Sequence, residues 1–260
     1  LEMSADSILL LGRNTLAWTN KMIDSIQKIY HPSQKPILTP PDSFGRADVI
    51  NYRQWEINEM RHFVDSAKIV SVPEWVGDLI VVETPRFLRG LIPGIAMEPP
   101  GPFDKSNTSY FYARPMPEKF DSEDRCQYYN FVKYRGFKGS IVHEGYPGHH
   151  LQISIANRHP SIVRKSCVDN FLVEGWALYC EEMMARTGLY EDSTGAVLGW
   201  LGGVRFRAVR AIVDVMLQTE QFDYQQAVNF MYKTLNGGSG DSVFYAKEAK
   251  RYITNPAQAS

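Results

Sequence analysis

The sequence predicts a mainly helical protein with a small β-sheet, on three observations. Apolar residues recur at helical intervals over most of its 260 positions. Between residues 69 and 117 that period gives way to short β-branched and aromatic runs broken by Pro and Gly. From residue 121 the helical period returns and continues almost to the end.

Ser4 to Tyr30 places Ile8, Leu9, Leu11, Leu16, Met22, Ile23 and Ile26 on one helical face, with Ser4 or Asp6 as cap. Pro32, Pro36, Pro40 and Pro41 forbid continuation of that helix, so residues 31–45 read as an extended connector. A second helix spans Ala47 to Ala67, and its lone His62 reads as a surface residue. Leu79 to Val82 and Tyr110 to Ala113 have strand character, whereas Met97-Glu-Pro-Pro-Gly-Pro102 reads as a loop. Helices are then expected over 124–137, 139–158, 168–186, 196–219, 224–235 and 242–252, with a flexible turn at Asn236-Gly-Gly-Ser-Gly240.

Twenty-eight basic side chains nearly balance 29 acidic ones, and 44% of residues are hydrophobic, which excludes disorder as the main state. A net charge of −1 offers no global attraction to nucleic acid or anionic lipid. No apolar run is long enough to span a bilayer, and the start of the chain lacks a signal-peptide pattern. The compartment therefore stays open: cytoplasmic, periplasmic or lipoprotein in a full-length form. Cys126, Cys167 and Cys180 lack metal-type spacing and read as buried free thiols.

The chemistry concentrates in His143-Glu-Gly-Tyr-Pro-Gly-His149-His150, which holds three of the six histidines. Imidazoles beside a carboxylate on an apolar segment are costly to bury unless a divalent metal satisfies their lone pairs, and zinc is the expected ion. The HExxH pattern of zinc hydrolases fails here, because Pro147 stands four positions after His143. His150 lies on nearly the same helical face but about 10.5 Å further along a straight helix. A bend at Gly145, Pro147 and Gly148 is the expected remedy, with His149 competing for the second ligand position. Glu174 is the expected third ligand, since an unpaired carboxylate among Phe171, Leu172, Val173 and Trp176 is expensive.

The strings HEGYPGHHLQ, VEGWALYCEEM, RFRAVRAIVDV and EAKRYITNPAQA, in that order, resemble the bacterial DUF885 family, as do VVETPRFLR and the PPGP loop. The resemblance covers nearly the whole chain and corresponds to the C-terminal half of a longer helical protein. It implies a zincin-like metallopeptidase of the glutamate-ligand type, with His143, His150 and Glu174 holding zinc and Glu144 as general base. The chain is also similar to the helical carboxydipeptidases of the angiotensin-converting type around His150-Leu-Gln152, which implies a carboxypeptidase-like exopeptidase acting on peptides. One domain is expected over 1–260: a helical part at 1–68, a sheet with loops at 69–120 and a helical metal-binding core at 121–260.

For the remaining roles, Tyr252 and Arg251 are candidates to stabilise an oxyanion, Arg207 and Arg210 to grip a substrate carboxylate, and Tyr110 to lie on a sheet edge that takes substrate as an added strand. The competing reading is a zinc-binding structural module, or an inactive fragment of a longer metallopeptidase. An uncoordinated Glu144 favours the enzyme, because a structural site closes all four positions.

Overall fold

In the computed structural model, which describes residues 3–89, 92, 94–236 and 242–256, ten α-helices, one short 3-10 helix (Arg86–Leu88) and three strands are formed among the described residues. In chain order the α-helices and strands are α1 (Ala5–Gln27), α2 (Arg46–Ser66), β1 (Leu79–Glu83), β2 (Ala96–Glu98), β3 (Ser109–Ala113), α3 (Ser122–Tyr134), α4 (Lys138–Glu144), α5 (His149–Asn157), α6 (Ile162–Ser166), α7 (Asn170–Ala185), α8 (Ser193–Gln218), α9 (Tyr224–Asn236) and α10 (Val243–Thr254). The fold is mainly helical with a small sheet. The expected turn after Asn236 and the end of the last family string (residues 257–259) lie outside the described residues.

The chain divides into two units, and the division does not follow chain order. Residues 34–189 form a central unit, and residues 1–33 and 190–260 form a terminal unit assembled from both ends.

In the central unit the strand order is β1-β3-β2. β3 runs parallel to β1, with Leu79 opposite Ser109 and Glu83 opposite Ala113, and antiparallel to β2. Strand alternation turns Ser109, Phe111 and Ala113 inward, and Leu79 and Val81 meet them in a core shared with Ile57 and Met60 of α2 and Ile141 and Val142 of α4. The outer edge of β1 is capped by a side chain. Gln54 donates to the Leu79 carbonyl at 3.0 Å and accepts from the Val81 amide at 2.9 Å, so its amide takes the place of a further strand.

Two expectations are corrected here. Met97 and Glu98, read as loop, pair with β3, because the run of prolines begins only at Pro99. Tyr110 does not sit on an edge: β3 is the central strand, hydrogen-bonded on both sides, so no substrate strand can add beside it. The cysteines are free as expected, but Cys167 is exposed while Cys180 is buried.

In the terminal unit α1 lies along α8, where Gly12 permits the approach: a Cβ there would stand 2.9 Å from Ile212 Cγ1. Val209 and Val213 of α8, Ala227 and Met231 of α9 and Tyr245, Ala249 and Tyr252 of α10 form its core.

Candidate metal centre

The segment expected as one bent helix is two helices. α4 stops at Glu144, Gly145 to Gly148 connect, and α5 starts at His149. Both glycines are required by close approach. A Cβ on Gly148 would fall 1.9 Å from the His143 carbonyl oxygen, and one on Gly145 would fall 2.7 Å from that of Ile141. Trp176 of α7 pins the connector by donating its indole N–H to the Pro147 carbonyl at 2.8 Å.

This folding back replaces a two-turn separation by direct contact. The rings of His143 and His149 meet edge to face with centroids 4.7 Å apart. Glu174 reaches both, its two oxygens 3.6 Å from His143 Nε2 and 3.8 Å from His149 Nε2. One donor atom from each of the three residues lies within 4.8 Å of the others. Ligands on a tetrahedral zinc stand about 3.3 Å apart; the two imidazole–carboxylate spacings, each to a different oxygen of Glu174, lie within about half an ångström of that, while spacings up to the 4.8 Å limit would have to shorten by about 1.5 Å on binding. The donor set, two imidazoles and one carboxylate, therefore fits a divalent ion of the zinc kind.

Glu181 lies two turns after Glu174 on α7, on the same face, and takes the other nitrogen of His143, Nδ1, at 2.7 Å. That contact leaves Nε2 directed at Glu174. Burial opposes a charge on His143, but the carboxylates of Glu174 and Glu181, with Glu144 nearby, outweigh it and lift the imidazole to about 9. The cluster thus attracts positive charge. Glu144 ends α4 and is itself buried, at 8% exposure, whereas the Glu174 side chain is 62% exposed. The site is walled by protein on one side and open to solvent on the other.

His150 stands apart from this cluster. It is fully buried, with Nδ1 on Ser109 Oγ at 2.8 Å and Nε2 within 3.1 Å of both the Gly77 carbonyl and the Tyr146 hydroxyl. Burial, with Arg61 adding to it, pushes the imidazole down to about 4. It is a neutral tie between α5 and the sheet, and His149 occupies the position beside Glu174. The expected burial of Glu174 is also corrected: Phe171 and Leu172 point to solvent, and Glu174 is held by its histidines.

The other expected site residues belong to the terminal unit. The Tyr252 hydroxyl and Arg251 Nη2 both donate to Glu248 Oε2, the second at 2.7 Å, and Arg210 Nε lies 3.9 Å from the same atom. Tyr252 is wholly buried, and Arg207 lies on the same helix as Arg210. Residues the sequence reading did not assign are Trp176, which fixes the connector, and Ser109, which engages His150. The i, i+7 spacing of Glu174 and Glu181 was the available signal for a shared face.

A crystal structure from Colwellia psychrerythraea, of a protein described as a "putative lipoprotein", matches with a TM-score of 0.74 at 23% identity, over 100% of this chain and 44% of that one. A Shewanella oneidensis structure, described as a "putative lipoprotein of unknown function", matches with a TM-score of 0.70 at 20% identity, over 99% of this chain and 47% of that one. The chain thus spans less than half the length of these two proteins, and they share its fold. No curated protein matches it. No helix among the described residues is long and apolar enough to cross a membrane. The family model described as "Bacterial protein of unknown function (DUF885)" matches residues 1–260, and the chain belongs to that family.

Proposed function

We propose that the chain carries the centre of a zinc-dependent, zincin-like peptide hydrolase. The observation that supports this most is the combination of three donors, the largely buried His143 and His149 with the exposed Glu174, and a buried carboxylate, Glu144, one residue from the first of them. A structural zinc site closes its fourth position, whereas a hydrolytic one keeps it for water. A bound divalent ion would acidify that water and polarise the scissile carbonyl. Glu144 accepts the water proton on a carboxylate oxygen and returns it to the leaving amine. Glu181 holds His143 in the tautomer that presents Nε2 to the site, and Trp176 keeps the connector from relaxing toward a straight helix. Tyr252 and Arg251 are both engaged by Glu248 within the terminal unit.

Elemental analysis of the purified protein, with mass-spectrometric profiling of a peptide library, tests the proposal. Wild type carries about one zinc and cleaves peptides. Glu144→Gln keeps the metal and loses about 10²- to 10⁴-fold in rate, the usual worth of a general base. Glu174→Ala loses both metal and cleavage. Full activity in Glu144→Gln would remove the mechanism, and a zinc-loaded wild type that cleaves nothing would leave a structural metal module.

A further inference from the structure

A polar cavity of about 200 Å³ opens in the central unit between α2 and the entry to β1. Arg61 and Asn58 line it from α2, Asp78 and Leu79 from the chain entering β1, and Tyr146 from the connector. None of His143, Glu144, His149 and Glu174 lines it, so it is separate from the metal centre.

Opposite charges line this small space without forming an ion pair with each other. Asp78 makes no side-chain hydrogen bond or ion pair among the described residues. Arg61 reaches the Val76 carbonyl only at 3.5 Å, rests against the Tyr146 ring 5.9 Å from its centroid and hydrogen-bonds the Tyr146 side chain, but has no carboxylate ion-pair partner among the described residues. Gln54 also lines the cavity, but its amide is occupied by β1. What remains is one guanidinium, one carboxylate and the Asn58 amide around a space smaller than the roughly 300–1,000 Å³ of ordinary small-molecule pockets. Such a space has room for about one residue.

We infer that this cavity binds a free α-amino acid as its zwitterion, the carboxylate on Arg61, the ammonium on Asp78 and a small side chain toward Ile57 and Leu79. The occupant touches Tyr146, whose hydroxyl is 3.1 Å from His150 Nε2 and whose backbone belongs to the connector between Glu144 and His149. Binding therefore reports directly to the segment that sets the spacing of the two metal-facing imidazoles. The binding claim stands on the cavity alone and does not require the hydrolase reading.

Isothermal titration of the full chain with L-alanine tests it, on protein stripped with EDTA so that chelation at a metal contributes nothing. One site is expected. L-alaninamide and N-acetyl-L-alanine, each missing one charge, bind at least about tenfold more weakly, as loss of a charge-assisted hydrogen bond dictates. Asp78→Asn and Arg61→Gln each weaken L-alanine to a similar degree, with circular dichroism and thermal midpoint unchanged. Asp78 is exposed, so Asp78→Asn decides the matter if the arginine variant is unstable. Absence of L-alanine binding, equal binding of the blocked analogues, or unchanged affinity in Asp78→Asn overturns the inference.

Discussion

His143 is held from both ends, Nδ1 by Glu181 and Nε2 toward Glu174, so its ring orientation is set before any ion arrives. Carboxylates that orient a ligating imidazole are usually worth 10- to 100-fold in metal affinity, and about that loss is expected for Glu181→Ala. Competition for zinc against a chromogenic chelator measures it; unchanged affinity would mean that α7 positions the ring without Glu181. The histidine cluster itself was legible in the sequence, because three imidazoles in eight positions demand an explanation. The choice between His149 and His150 was not. Helical phase puts positions 143 and 150 on one face of a continuous helix, but a break restarts the phase, and the restart places His149 beside Glu174 and turns His150 to Ser109 and Gly77. Glu174 was identified for an incorrect reason, since its neighbours Phe171 and Leu172 are exposed.

At the level of elements, the long helices and two of the three strands followed from periodicity and β-branched runs. What escaped was set by contacts distant in sequence. Three-residue β2 has too few positions to show alternation and exists because β3 offers it a partner. The α4–α5 break depends on a backbone approach that only Gly148 permits, with the His143 carbonyl in the space a side chain would fill. Gly148→Ala forces those backbones apart, at a cost in the overpacking range of about 1–3 kcal/mol, and separates His143 from His149. Urea unfolding should show the lost stability, and zinc titration should show a loss of affinity larger than any global destabilisation explains. A Gly148→Ala protein with native zinc affinity would mean that the connector is not what sets the imidazole spacing. Gly145→Ala is the milder companion, its nearest contact being 2.7 Å rather than 1.9 Å.

For the whole molecule, assembly from both ends was hidden from a left-to-right reading, since α1 and α8 pair across the entire central unit in sequence. The central unit contains His143 and His150, whose opposite shifts give its stability a distinctive pH profile. His143 binds its proton more tightly in the folded protein, near 9 against an ordinary 6.5, so without metal its contribution is complete below pH 6.5 and disappears as pH rises through 9. His150 is the reverse. Held near 4, it favours the neutral form, and its contribution is complete above pH 6.5 and disappears as pH falls toward 4. Each shift corresponds to about 3 kcal/mol at full effect, so the metal-free protein is expected to be most stable near pH 6.5 and to weaken on both sides. On the proposed function zinc would replace the His143 proton, so its affinity should climb by up to about tenfold per pH unit between 6.5 and 9, and saturating metal should flatten the alkaline limb. The acid limb belongs to a residue outside the metal cluster and should survive saturation. Hydrogen exchange of central-unit peptides across pH 4 to 9, with EDTA and with zinc, separates the two limbs from events in the terminal unit. A metal-free profile that stays flat above pH 6.5 would show that the three carboxylates around His143 do not hold a proton there, and with it would go the case that this cluster is built to attract a cation.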